Sequence, residues 1–168
     1  MSVIRGREGS RGAGLHERGM ALPHFGLMDA EALGPARAAL QRARLHFRGG
    51  KRRLRQGKIS AGVATLSDAL SFAMEWFCAS AERRSRVSAT AQELLDDRAL
   101  YAALVRSAVL SGTFDYERYD RVLDRALETE ITAVDAAGIL EGVESVLTEL
   151  GVLPFDENEL PPEDPGTF

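Results

Sequence analysis

The stretch RQGKISAGVATLSDALSFAMEWF, Arg55 to Phe77, decides how this chain folds. At the helical advance of about 100° per residue, Ile59, Val63, Leu66, Leu70, Ala73 and Phe77 recur at intervals of four and three and fall on one stripe. Gly62, Ala69, Phe72 and Trp76 form a second stripe beside it, while Ser60, Ser67, Asp68, Ser71, Glu75 and Cys78 fill the remaining arc. The apolar sector covers roughly half the circumference, wider than the ~100° of a helix that serves a single neighbour. The spacing therefore predicts a core helix that touches more than one partner. Its side chains grow from Gly62, Ala64 and Ala69 to Phe72, Met74, Trp76 and Phe77, so one end permits close helix approach and the other fills a wider gap.

Outward from this helix the pattern stays helical, with no alternating β-branched run and no Asn-Gly hairpin signal. Upstream, a helix is expected to begin after Asp29, or at Gly34-Pro35, to run through Leu40, Leu45 and Phe47 toward Gly49-Gly50, and to resume through Leu54 to Gln56. The second helix starts after Gly57 and extends to about Ser80. A third opens at the capping box TAQE, Thr90 to Glu93, and ends at Gly112. A fourth starts near Asp115 with Tyr119, Val122, Leu123, Ala126 and Leu127 on one side, and a fifth runs from Thr132 through Val143, Val146, Leu147 and Leu150 to Gly151. About five helices with short links predict an all-α antiparallel bundle. Residues 1–24 read as a mobile basic Gly/Arg-rich arm, residues 25–152 as the bundle domain, and residues 153–168 as a peripheral acidic, Pro-rich tail.

Two family patterns are similar to this region. GKISAGVATLSDALSFAMEWF, preceded by ARAALQRARLHF, resembles the second helix of the HEPN family and the helix before it, over residues 29–80. That resemblance implies an HEPN-like bundle that acts as a homodimer or with a protein partner. Catalytic members cleave RNA with an Arg-x(4–6)-His motif on a late helix. Here the histidines are His16, His24 and His46, all before the opening helix, and three residues separate Arg42, and eight Arg37, from His46. The resemblance therefore implies an HEPN-like protein without the family's catalytic pair, a divergent ribonuclease toxin being the remote alternative. Gly57, Ile59, Gly62, Leu66 and Ala69 also resemble one tetratricopeptide unit, with SGTFDYERYDRVLDRAL as a second copy that needs an insertion. That architecture usually needs three or more repeats.

A chain of 168 residues with 45% hydrophobic content supports one domain with a sizeable core. Its single cysteine, Cys78, permits no intrachain disulfide and fits a reducing cytosol. The window Ser60 to Ala81 carries Asp68 and Glu75, which lipid would penalise, and the N-terminus lacks a signal peptide's apolar core. A cytoplasmic protein with no membrane span is the expectation.

The net charge of −4 conceals an asymmetry: residues 1–58 hold 13 Lys/Arg against 4 Asp/Glu, and residues 59–168 hold 8 against 21. No acidic residue stands between Glu31 and Asp68. On a helix Arg37, Arg44, Arg48, Lys51 and Arg55 share one face, and Arg52 and Lys58 complete the candidate binding set. Such a ridge can meet nucleic-acid phosphate, an acidic protein partner or the acidic half of its own chain. With few aromatics among the bases, RNA binding would rest on phosphate contacts and fall steeply with salt.

No catalytic, metal or cofactor site is expected. Nucleophile-elbow, Walker and Rossmann patterns are absent, and Cys78 has no histidine neighbour in sequence. His46 reads as a helix-surface residue of the basic face. Asp115, Glu117 and Asp120 in FDYERYD interleave with Arg118, Arg121 and Arg125, which predicts ion pairs within one helix rather than a metal site. Asp96-Asp97 and the Asp68/Glu75 pair have weaker claims on an ion.

Overall fold

The computed structural model describes residues 30–129, 131–163 and 166. The basic arm of residues 1–24 with His16 and His24, the expected domain start near Phe25 and residues 164, 165, 167 and 168 of the tail lie outside them. Among the described residues the chain is a helical bundle without strands, built from seven α-helices and two 3-10 turns. No helix there is long and apolar enough to cross a membrane.

The N-terminal region uses both of the expected starts. Helix α1, Ala30–Leu33, stops at Gly34, whose φ of 74° suits glycine, and α2, Pro35–Arg55, restarts with the proline in its first turn. The expected interruption at Gly49-Gly50 does not occur: α2 continues through both glycines, which are buried. Gly57, with φ 73°, then turns the chain into α3, Ile59–Cys78.

Close packing explains why α2 stays whole. A Cβ on Gly50 would stand 2.8 Å from Cγ and Cδ2 of Leu66, and a Cβ on Gly62 would stand 2.5 Å from Leu54 Cδ2 and 3.1 Å from the Leu54 backbone nitrogen. The two helices cross where neither can carry a side chain, and burial there outweighs the propensity cost of about 1 kcal/mol per glycine. Around α3, the predicted stripe is buried at Val63, Leu66, Leu70, Ala73 and Phe77, and Met74 joins it. Helices α2, α4, α5, α6 and α7 all pack on it, as its wide apolar sector requires.

Beyond α3 the third expected helix is divided. Ser80 caps the short α4, Ala81–Arg84. The capping box then forms in full: Thr90 N–H donates to Glu93 Oε2 at 2.8 Å and Glu93 N–H to Thr90 Oγ1 at 3.2 Å. It opens only a 3-10 turn, Glu93–Leu95, because Asp96 is extended and caps a new helix through Ala99 N–H at 2.7 Å. That helix, α5, covers Asp97–Arg106 and ends well before Gly112, with Ala108 at φ 53°.

Helices α6, Tyr116–Glu128, and α7, Ala133–Glu149, begin at side-chain caps from Asp115 and Thr132, close to the expected positions. An aromatic knot locks them to the core. Tyr101 and Tyr116 stack at 4.9 Å, Phe114 and Tyr119 lie 5.3 Å apart, and Tyr119 donates to Ser67 Oγ at 2.6 Å. Phe114 lies over Gly142 of α7, where a Cβ would come within 2.4 Å of the ring.

Two α-helical glycines give opposite tests of this packing. Gly62→Ala is expected to destabilise the fold by about 1–3 kcal/mol through overpacking. Gly138, with nothing within 4 Å of its Cβ position, should instead gain up to about 1 kcal/mol as alanine. Urea unfolding of the two variants checks the contrast, and equal effects would remove the close-crossing account.

Candidate binding ridge on helix α2

The seven basic residues expected to form one surface fall into two groups. Arg44, Arg48, Lys51 and Arg52 face the C-terminal half and are partly buried, whereas Arg37, Arg55 and Lys58 are exposed at the ends of the run. No ion pair among the described residues reaches these last three. The central group is covered by the segment after α7. Arg44 Nε donates to the Val152 carbonyl at 3.2 Å, Arg44 Nη1 lies 3.6 Å from Glu159 Oε2, and its guanidinium sits 5.4 Å from the Phe155 ring centroid. Arg48 Nη2 donates to the Pro161 carbonyl at 2.7 Å, with Nε 3.2 Å from Glu163 Oε1. Arg52 Nη1 lies 2.8 Å from the same oxygen, a charge contact without the alignment of a hydrogen bond. Lys51 Nζ reaches Glu144 of α7 at 3.9 Å.

Arg48, Arg52 and Glu163 keep only 11%, 13% and 16% of their side-chain exposure, so these charges meet in a sheltered seam. Desolvation there costs energy that pairing and hydrogen bonding must offset, so removing one partner is worse than never having built the pair. The segment is held by apolar residues too: Val152 is fully buried and Leu160 nearly so. Residues 152–163 are therefore a strap docked along α2. Sequence reasoning missed its members Phe155, Glu159 and Glu163; the signal was present as an apolar residue at 152, 155 and 160 within an acidic stretch.

The other groups that could carry chemistry are tuned away from it. His46 is half-buried rather than displayed on the surface, its ring 5.2 Å from that of Phe72 and its Nδ1 3.3 Å from Asp68 Oδ2. Burial lowers its pKa from 6.5, Asp68 pulls it back up, and Arg53 and Arg42 lower it again. Cys78 is likewise pushed up by burial, with Arg84 and Arg83 opposing, so its thiol is poorly ionised at neutral pH. Arg83 is held elsewhere: it donates to the Trp76 and Phe77 carbonyls at 2.9 and 3.1 Å and closes the C-terminus of α3. Burial raises the Tyr119 phenol to about 12 and Tyr116 further, which keeps both neutral.

Two carboxylates of FDYERYD, Glu117 and Asp120, pair between helices and not within one. Asp115 caps α6 through Arg118 N–H at 2.9 Å, while Glu117 and Asp120 lie 3.1 and 3.6 Å from Arg98 of α5. Arg118 and Arg125 instead reach Asp135 of α7 at 3.7 and 3.6 Å. Asp97, from the Asp96-Asp97 pair, accepts a hydrogen bond from the Ser71 hydroxyl. Among the described residues no group of three His, Cys, Asp or Glu side chains is arranged to hold a metal. A groove of about 430 Å3 lies between α6 and α7 beside Phe114, Arg118 and Asp135. Comparison with protein families, curated proteins and solved structures returned no match to this chain.

The His46 environment is directly measurable. Its native pKa is depressed, so the unfolded chain takes up the proton first. The linked stability is present above pH 6.5 and is lost as pH falls below it toward the native pKa. NMR titration should give a midpoint below 6.5, and Asp68→Asn should lower it further because Asp68 favours the charged form. A midpoint raised by Asp68→Asn contradicts this electrostatic account.

Proposed function

We propose that this is a non-catalytic helical interaction protein, HEPN-like in its bundle, which binds a protein partner or a second copy through the arginine ridge of α2. The observation that supports the reading is the ridge's occupant. Arg44, Arg48 and Arg52 hold carboxylates and carbonyls of an extended peptide segment, so the surface already performs peptide recognition within the chain. The HEPN-like likeness rests on the sequence of residues 29–80, the stretch in which α2 and α3 lie.

A second reading, RNA binding, is favoured by one observation only: Arg37, Arg55 and Lys58 are exposed cations without an ion pair among the described residues. A phosphate backbone meeting three such charges would bind weakly and lose affinity steeply with salt.

Affinity purification from the native host separates the two readings when wild type is compared with Arg48→Glu/Arg52→Glu, each checked for helix content by circular dichroism. The expected outcome is a protein retained by wild type after nuclease treatment and lost from the variant. Nuclease-sensitive RNA retained instead by the Arg37, Arg55 and Lys58 end would replace this reading with the second.

A further inference from the structure

We infer that the α2 ridge is a site for an acidic, extended peptide of a partner protein, and that residues 154–163 are the resident segment such a peptide displaces. This rests on the interaction reading above and names the partner's chemistry. Three observations carry it.

The contacts first select a peptide over other anions. Within residues 154–163 the Pro161 carbonyl accepts from Arg48 beside the Glu163 carboxylate, the Phe155 ring lies against Arg44, and Leu160 is 8% exposed. A phosphate backbone would satisfy the guanidinium charges but would supply neither the aliphatic anchor nor the paired carbonyl and carboxylate from one chain. The ligand that fits is an extended stretch with an aromatic residue, then a leucine, with glutamates flanking the leucine at the spacing of Glu159 and Glu163.

Among the described residues the cover is also incomplete. A cleft of about 370 Å3 runs between ridge and strap, lined by Arg48, Lys51, Arg52, Arg55, Glu157 and Glu163. At its edge Arg55 is exposed and makes no ion pair among the described residues. An incoming carboxylate can therefore settle on Arg55 before the strap leaves, which gives exchange a starting point.

Finally, the strap is lightly built. Its regular structure is one 3-10 turn, Glu157–Glu159, started by Asp156 accepting from Asn158 N–H at 2.9 Å. A segment of this kind opens at lower cost than the core helices beside it. Its advantage is tethering, which gives it an effective local concentration of about millimolar. A partner peptide therefore sees the site only in the fraction of molecules whose strap is open, and its apparent affinity is reduced by that fraction.

The test uses the full chain and, as probe, a fluorescent peptide with the sequence of residues 152–163. Wild type should bind it weakly. Glu159→Gln/Glu163→Gln in the full chain, which loosens the strap and leaves the ridge intact, should bind it tighter by about tenfold or more. Adding Arg48→Gln/Arg52→Gln to that variant should abolish the gain. Hydrogen exchange on wild type supplies a readout that needs no variant: saturating peptide should reduce protection of residues 155–163 and leave α2 protected. Equal affinity for wild type and the Gln variant, binding indifferent to the arginine changes, or a uridine 20-mer that outcompetes the peptide overturns the inference. If the peptide fails while the nuclease-resistant protein of the preceding purification persists, the interaction reading stands and only this assignment of its site falls.

Discussion

The rest of the bundle depends on the crossing of α2 and α3 at Gly50 and Gly62. Neither position tolerates a Cβ without displacing Leu66 or Leu54, so the two backbones lie as close as side chains allow. That approach does two things. It buries one flank of α3 so completely that the remaining apolar residues, from Ala69 to Phe77, must be covered by α5, α6 and α7, which fixes the bundle around this helix. It also rotates α2 so that its alternate flank, carrying Arg44, Arg48 and Arg52, faces the chain that returns from α7. Backbone contact in the core thus determines where the charge goes.

The same crossing explains what was legible in the sequence. The period of Val63, Leu66, Leu70, Ala73 and Phe77 needs no tertiary information, because apolar spacing and burial report the same helix face. Caps at Asp115 and Thr132 were equally local and equally readable. Gly49-Gly50 was not: local propensity predicts a break, and only Leu66, in the next helix, shows why Gly50 is required. The capping box at Thr90 to Glu93 is a different lesson. Its hydrogen bonds form as the motif implies, yet a second cap at Asp96 follows six residues after Thr90, and the two starts compete for the same chain. A motif fixes its own bonds and leaves the length of the helix beyond them to the neighbouring residues.

The ridge was legible as a face and illegible as a site. Helical spacing places Arg44, Arg48 and Arg52 together, but their partners at Val152 and Pro161 are 108 and 113 residues away along the chain. Composition pointed the wrong way for those partners. Prolines and acidic residues after Gly151 read as a solvated tail, and the few apolar residues among them, Val152, Phe155 and Leu160, are too sparse for any periodicity. Their role is set by what they meet.

The strap divides its work between two kinds of contact. Val152 and Leu160 bury apolar surface, an interaction that salt does not screen and that asks little of geometry. The arginine contacts are directional and selective, yet sheltered charges gain little net energy from pairing because desolvation opposes it. Apolar anchors therefore supply adhesion, and the charged seam supplies specificity, since an occupant without carboxylates would not supply the opposite charge that Glu163 brings to Arg48 and Arg52. Part of the acidic surplus of the C-terminal half has a structural reason: of the four acidic residues at 153–163, Glu159 and Glu163 meet Arg44, Arg48 and Arg52 of α2.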